Sequence, residues 1–218
     1  MDENFKPAIF PTSYFPSIEY FALMIKQKEI YFEVQETYPK QTLRNRCTIL
    51  SANGKLDLTV PISKSHNSKQ LSKDVKISYD IPWQKIHQRA IDAAYNSSAF
   101  YLYFKDDFNF VFEKKHTFLI DLNTEIISKI LKDIGLSINL TFTEAFNKAN
   151  PEFVDYRNHF QKNHTKFENE NYPQYFQVFD SKFGFSPNLS FMDLLYNEGN
   201  QAIEYLNKYV LFNSEIPK

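Results

Sequence analysis

Residues 8–35 read AIFPTSYFPSIEYFALMIKQKEIYFEVQ, and the change of period inside that stretch decides the fold. Ala8 to Phe10 is a short apolar run. Ile18, Phe21, Ala22 and Ile25 recur at helical spacing, and the residues from Glu29 to Gln35 alternate strictly. Ser17, directly after Pro16, is placed as an N-cap. The stretch predicts a compact βαβ unit whose loop PTSYFPS stands between the first strand and its helix, where α/β folds commonly bind ligands.

Outward from there, RCTILSANGKLDLTVPI sets Asn53-Gly54 between two alternating runs, a strong hairpin signal. Ser63 to Lys73 is polar and aperiodic, a surface excursion, and Val75 to Tyr79 reads as a short strand. Pro82 suits the first turn of a helix with the apolar stripe Trp83, Ile86, Ala90, Ile91 and Ala94, and His87 falls inside that stripe. AFYLYFKDDFNFVF carries rings at both strand and helical spacing and is read as helix. A regular helix through Leu119, Leu122, Ile126, Ile130 and Ile134 ends at Gly135, and INLTF follows as a strand. Glu144 to Asn188 interleaves rings with Asn and Gln without periodicity, and rings at that density are expected to be ordered. Ser190 caps a helix, FMDLLYNE, that Gly199 stops, and QAIEYLNKY is the last helix. The expected fold is α/β: a mixed central sheet of the first two strands, the hairpin, Val75 to Tyr79 and Ile138 to Phe142, with packed helices. The runner-up is α+β.

With 218 residues and 43% of them apolar, the chain builds a sizeable core, read as a single domain over 1–218. Twenty-two Phe and 14 Tyr make much of that core ring packing, and some Tyr hydroxyls then need partners. Twenty-five basic against 26 acidic residues leave a net charge of −1, which argues against nucleic acid or an anionic membrane as partner and requires any anion site to be local. A lone Cys, no long apolar run and no signal-like N-terminus point to a cytoplasmic protein with no membrane span.

Four glycines, at 54, 135, 184 and 199, form neither a P-loop nor a dinucleotide fingerprint, and the sequence identifies no cofactor. His159 and His164 lack companions at metal-ligand spacing, so no metal is expected. Cys47, mid-strand, reads as a small buried side chain rather than a nucleophile.

The segment YPKQTLRNR, Tyr38 to Arg46, gathers Lys40, Arg44 and Arg46 where a strand ends and the hairpin begins. On a strand, Arg44 and Arg46 share a face and suit a phosphate or carboxylate, while Asn45 points inward. The alternative is that both arginines pair with Glu33 and Glu36 on the preceding strand. His87 is either a hydrogen-bonded core histidine or a catalytic base. Trp83, Arg89 and Tyr95 beside it form a binding wall or simple packing, and Tyr14 in the PTSYFPS loop stacks on a ligand or plugs the loop.

Taken in order, several of these residues resemble the WbqC-like family of bacterial proteins. They are Tyr14-Phe15-Pro16 with Tyr20-Phe21, Lys40 with Asn45-Arg46, Asn53-Gly54, Leu58-Thr59-Val60-Pro61, Trp83 with His87 and Ala94-Tyr95, and Asn188-Leu189-Ser190 through Asp193-Leu194-Leu195 to Gly199. The chain departs from the family where a Gln-Pro pair usually precedes the Tyr (here Phe10 to Ser13), and where many members carry aspartates (here Glu33, Gln35 and Glu36). Members occur in gene clusters for O-antigen and related surface polysaccharides. The resemblance therefore implies a transferase placing an amino acid such as glycine on a nucleotide-linked amino sugar, or a non-catalytic binder or assembly protein of that pathway. In that picture Lys40, Arg44 and Arg46 hold a diphosphate, Tyr14 and Trp83 stack on base or sugar, and His87 deprotonates the sugar ammonium.

Overall fold

In a computed structural model of the chain, which describes residues 6–40, 42–64, 69–160 and 172–212, the opening stretch forms strand β1 (Ala8–Pro11), helix α1 (Ile18–Met24) and strand β2 (Glu29–Glu33). β1 and β2 are parallel, with Ala8 opposite Ile30 and Pro11 opposite Glu33. Ser17 caps α1 by accepting the Tyr20 N–H. The Asn53-Gly54 turn joins β3 (Arg46–Ser51) to β4 (Gly54–Thr59), and Gly54 supplies the φ of 100° that a side chain there resists.

Two further strands, β5 (Asn139–Phe142) and β6 (Val154–Asp155), complete a parallel sheet of order β5-β2-β1-β6. β1 is an inner strand with every residue buried, which is why it is a continuous apolar run rather than an alternating one. Helices α2 (Trp83–Tyr95), α3 (Tyr101–Phe104), α4 (Asn109–Glu113), α5 (Leu119–Asp133), α6 (Asp180–Phe183), α7 (Phe191–Glu198) and α8 (Ala202–Phe212) follow. The class is α/β, as expected, with the βαβ unit, the hairpin and the packed helices all present.

Four details differ from the sequence reading. The hairpin pairs only with itself, so parallel and antiparallel pairing occupy separate sheets. Val75 to Tyr79 is not a sheet strand: the Ile77 N–H donates to the Thr117 carbonyl and the Ser78 N–H to Pro61, and single bridges join Ile62 to Ile77 and Lys76 to Phe118. The edge beside β1 is taken by β6, two residues long and too short to show alternation. On α2, Ile86 is exposed, and the buried stripe is Trp83, His87, Ile91, Ala94 and Tyr95. AFYLYFKDDFNFVF is helical, but in short pieces, α3 and α4 with a 3-10 turn at 105–108 between them. Residues 65–68 of the Ser63 to Lys73 excursion, residues 161–171 of the aromatic stretch, and His164 lie outside the described residues.

Buried apolar side chains form one connected cluster from Ala8 to Tyr209. Rings dominate it: Phe10 lies 4.7 Å from Tyr156 and 5.2 Å from Tyr20 between centroids, and Phe21 lies 4.6 Å from Phe191. The buried tyrosines carry hydroxyls that require acceptors. Tyr20 donates to the Pro11 carbonyl at 2.7 Å, while Tyr95 and Tyr175 donate to opposite oxygens of Asp193 at 3.0 and 2.6 Å, joined by Gln177 Nε2 at 3.1 Å.

Burial pushes the Asp193 carboxyl up to about 6, against three donors that favour its charged form. An acid held above its ordinary value of 3.8 contributes stability that is present at low pH and is lost as pH rises through about 6. The stability difference between Asp193→Asn and the wild type is therefore expected to move in the variant's favour from pH 4 to pH 7, read by urea titration at both. A difference independent of pH would show that Asp193 ionises normally.

Candidate functional site

The carboxyl ends of β1 and β6 are neighbours, and the chain leaves them for different parts of the fold. Such a junction in a parallel sheet opens a crevice. A cavity of about 260 Å3 occupies that place. Ser13, Phe15, Ser17 and Glu19 reach it from the loop after β1 and the first turn of α1. Leu43, Arg46, Cys47, Thr48 and Asp57 come from the hairpin and its approach, His159 and Phe160 from the turn after β6, and Asn188 and Ser190 from the entry to α7.

Glu19 organises one wall. It sits on a helix whose seven residues are all buried, and a carboxylate there needs partners. His159 Nε2 lies 2.6 Å from its Oε1, and Asn188 Nδ2 donates to its Oε2 at 2.9 Å. The Glu19 backbone N–H donates back to Asn188 Oδ1 at 3.0 Å, so Asn188 grips both the side chain and the main chain. The imidazole is thus oriented by a carboxylate that is itself oriented, an arrangement that suits proton transfer.

Among the described residues, the non-glycine residues with positive φ are Phe15 (38°) and Asn188 (52°), and both line this cavity. Backbone held in that region costs on the order of 1–3 kcal/mol per residue and concentrates where a site demands it. Their neighbours hold them: the Ser190 hydroxyl donates to the Phe15 carbonyl at 3.0 Å, and the Ser190 N–H donates to Thr48 at 2.8 Å.

Arg46 lines the same cavity from the start of β3. Its Nε donates to Thr59 Oγ1 at 3.1 Å, and Nη1 stands 3.6 Å from Asp57, whose other oxygen accepts the Thr48 hydroxyl at 2.7 Å. Cys47 also reaches the cavity, but burial and the Asp57 charge push its thiol far up, which leaves it unsuited to nucleophilic attack.

The sequence-predicted residues do not gather here as a set. Arg44 belongs to a 3-10 turn, Leu43–Asn45, and β3 begins only at Arg46, so the strand phase that would align the two arginines does not exist. Arg44 is buried and closed onto Glu36, with Nε at 2.8 Å and Nη2 at 2.5 Å from Oε1. Asn45 fastens the hairpin base, donating from Nδ2 to the Val60 carbonyl at 2.8 Å. Lys40 is exposed and does not line the cavity.

Tyr14, Trp83 and His87 do meet, but in the core. The Tyr14 hydroxyl lies 3.0 Å from His87 Nδ1, and the Trp83 ring is 5.1 Å from the imidazole. Burial pushes the His87 imidazole down to about 4, against a backbone interaction at Thr59 that favours its charged form, so it is too weak a base to take a proton from an ammonium. Tyr95 serves Asp193, and Arg89 is exposed on α2.

Glu19 and His159 escaped the sequence reading. The available signal was an acid inside the otherwise apolar and aromatic run from Ile18 to Met24, which marks a buried carboxylate awaiting partners. His159 entered only as half of a metal pair with His164.

The model of the WbqC-like protein family matches residues 12–154, more than half of the chain. The chain belongs to the WbqC-like family. A further relative, the uncharacterized protein Rv1507c of Mycobacterium tuberculosis (strain ATCC 25618 / H37Rv), is 26% identical over 228 residues, covering 92% of this chain and 97% of that protein. No solved structure matches the chain significantly. His159, Asn188 and Ser190 lie past the segment matched by the WbqC-like model, so the cavity is completed by the chain's last third. Where this WbqC-like chain departs from the expected pattern, its acids are tied into the fold: Glu33 pairs with Arg157 at 3.1 Å and Glu36 with Arg44. Among the described residues no helix is long and apolar enough to cross a membrane, and no three His, Cys, Asp or Glu converge as metal ligands.

His87→Ala is expected to lower stability by about 1–3 kcal/mol, because the buried Tyr14 hydroxyl loses its partner. A histidine depressed from 6.5 to about 4 stabilises the fold above its unfolded value, a contribution lost as pH falls through that window. Unfolding titrations from pH 7 to pH 4 should therefore show the His87→Ala deficit shrinking. A variant as stable as wild type at pH 7 would remove His87 from the structural set.

Proposed function

We propose that this protein is a transferase of surface-polysaccharide biosynthesis, one that places a glycine-like acyl group on the amine of a nucleotide-linked amino sugar. The observation that carries the reading is the Glu19-oriented His159 in a cavity that Arg46 also lines. At about 260 Å3 the space suits one sugar ring, smaller than the roughly 300–1,000 Å3 of sites that enclose drug-sized ligands, so the nucleotide would lie outside it. His159 accepts a proton from the sugar ammonium, the freed amine attacks the acyl carbonyl, the N–C bond forms, and the bond from carbonyl to leaving group breaks. Nucleotide sugars are cytoplasmic intermediates, so the reading also places the protein there.

The second reading is a sugar-nucleotide-binding or assembly protein without chemistry of its own. It draws on Cys47, whose raised thiol gives the cavity no thiolate nucleophile.

Incubating the full chain with nucleotide-linked amino sugars, glycine and ATP, or carrier-bound glycine, should give a product heavier by one glycyl group, detected by mass spectrometry. His159→Gln is expected to lower kcat by about 100-fold or more with KM little changed. Saturable binding with no product under either donor selects the second reading. Undiminished turnover in His159→Gln removes His159 from the mechanism.

A further inference from the structure

The two arginines of the hairpin approach are treated differently by the fold. Arg44 is in a closed ion pair, its side chain 4% exposed and Glu36 13% exposed. Arg46 is 23% exposed and faces Asp57 at 3.6 Å, well beyond the roughly 2.7–2.9 Å of a charge-assisted hydrogen bond. Asp57 is 49% exposed and anchored through its other oxygen by the Thr48 hydroxyl. The Arg46 fork is meanwhile aimed by Thr59 at its Nε, which leaves the Nη edge for an oxyanion. Both members of this loose pair line the cavity, and Arg46 is the one lysine or arginine among the described lining residues.

We propose that Asp57 is an internal stand-in for the anion of the ligand, a sugar phosphate whose phosphate replaces Asp57 on Arg46. A carboxylate and a phosphate present the same paired oxygens to a guanidinium, and a half-exposed Asp57 regains water when displaced. Glu19, which also lines the cavity, repels the phosphate and attracts an ammonium, so the ligand enters in one orientation, phosphate toward Arg46 and amine toward the Glu19–His159 pair. The assignment rests on the reading of the cavity as an amino-sugar site, and it names the group by which the sugar is recognised.

The test is calorimetric binding of glucosamine 1-phosphate and of glucosamine to the intact protein, with no acyl donor present. Asp57→Asn is expected to bind the phosphate about two- to fivefold more tightly than wild type, because a competing charge is gone, and glucosamine about equally. Arg46→Gln is expected to lose about tenfold or more for the phosphate and little for glucosamine, with Arg46→Lys between. In the wild type, added salt should weaken the phosphate and leave glucosamine unchanged. Unchanged or weaker phosphate binding in Asp57→Asn overturns the proposal, as does equal loss of both ligands in Arg46→Gln or no binding of either to wild type. Phosphate-dependent binding without transfer would instead count against the transferase reading alone.

Discussion

A carboxylate buried inside the first helix constrains much of this molecule. Glu19 is 5% exposed on a helix with no exposed face, and an ion in that position is tolerated only when each oxygen is bound. Its partners, His159 and Asn188, lie 140 and 169 residues further along the chain. The βαβ unit, the turn after β6 and the entry to α7 must therefore close on one point. Backbone bonds reinforce the closure, from Ile18 N–H to Leu189 at 3.0 Å and from Phe191 N–H to Pro16 at 2.8 Å. The strained Phe15 and Asn188 are the local consequence, and the cavity lies where these segments meet.

Charge is divided between holding the fold and facing the cavity. Arg157 lies between Glu33 and Asp155 and also donates to the Asn147 carbonyl, while Arg44 is closed onto Glu36, which also receives the Ser72 hydroxyl. Such buried pairs hold loops against the sheet ends, and breaking one leaves an uncompensated ion. Arg46 escapes that use because the hairpin presents it at the cavity rim.

Much of the fold was legible along the chain because its signals are local. Ser17 and Ser190 cap helices, Asn53-Gly54 turns the hairpin, and Gly135 ends a helix at φ 73°. The illegible parts depend on partners far away. β6 exists only because β1 offers it an edge, and Val75 to Tyr79 binds Thr117 and Pro61 instead of a sheet. In the site, charge clustering led to Arg46 but wrongly joined it to Arg44, because one 3-10 turn shifts the phase of everything before the strand.

The sequence by itself determined the α/β class, the βαβ opening, the hairpin, the principal helices and the likeness to the WbqC-like family. Periodicity, caps and turn residues act within a few neighbours, and the family likeness is carried by their order. Only the tertiary structure decided which charges face an open space. Lys40, Arg44, Arg46, His87 and His159 carry no local mark that separates a solvated, a paired and a cavity-lining role, and the apolar run around Glu19 marks it as buried without naming its partners. That choice was made when α1 buried Glu19, since satisfying its two oxygens brought His159 and Asn188 to the cavity that Arg46 also lines.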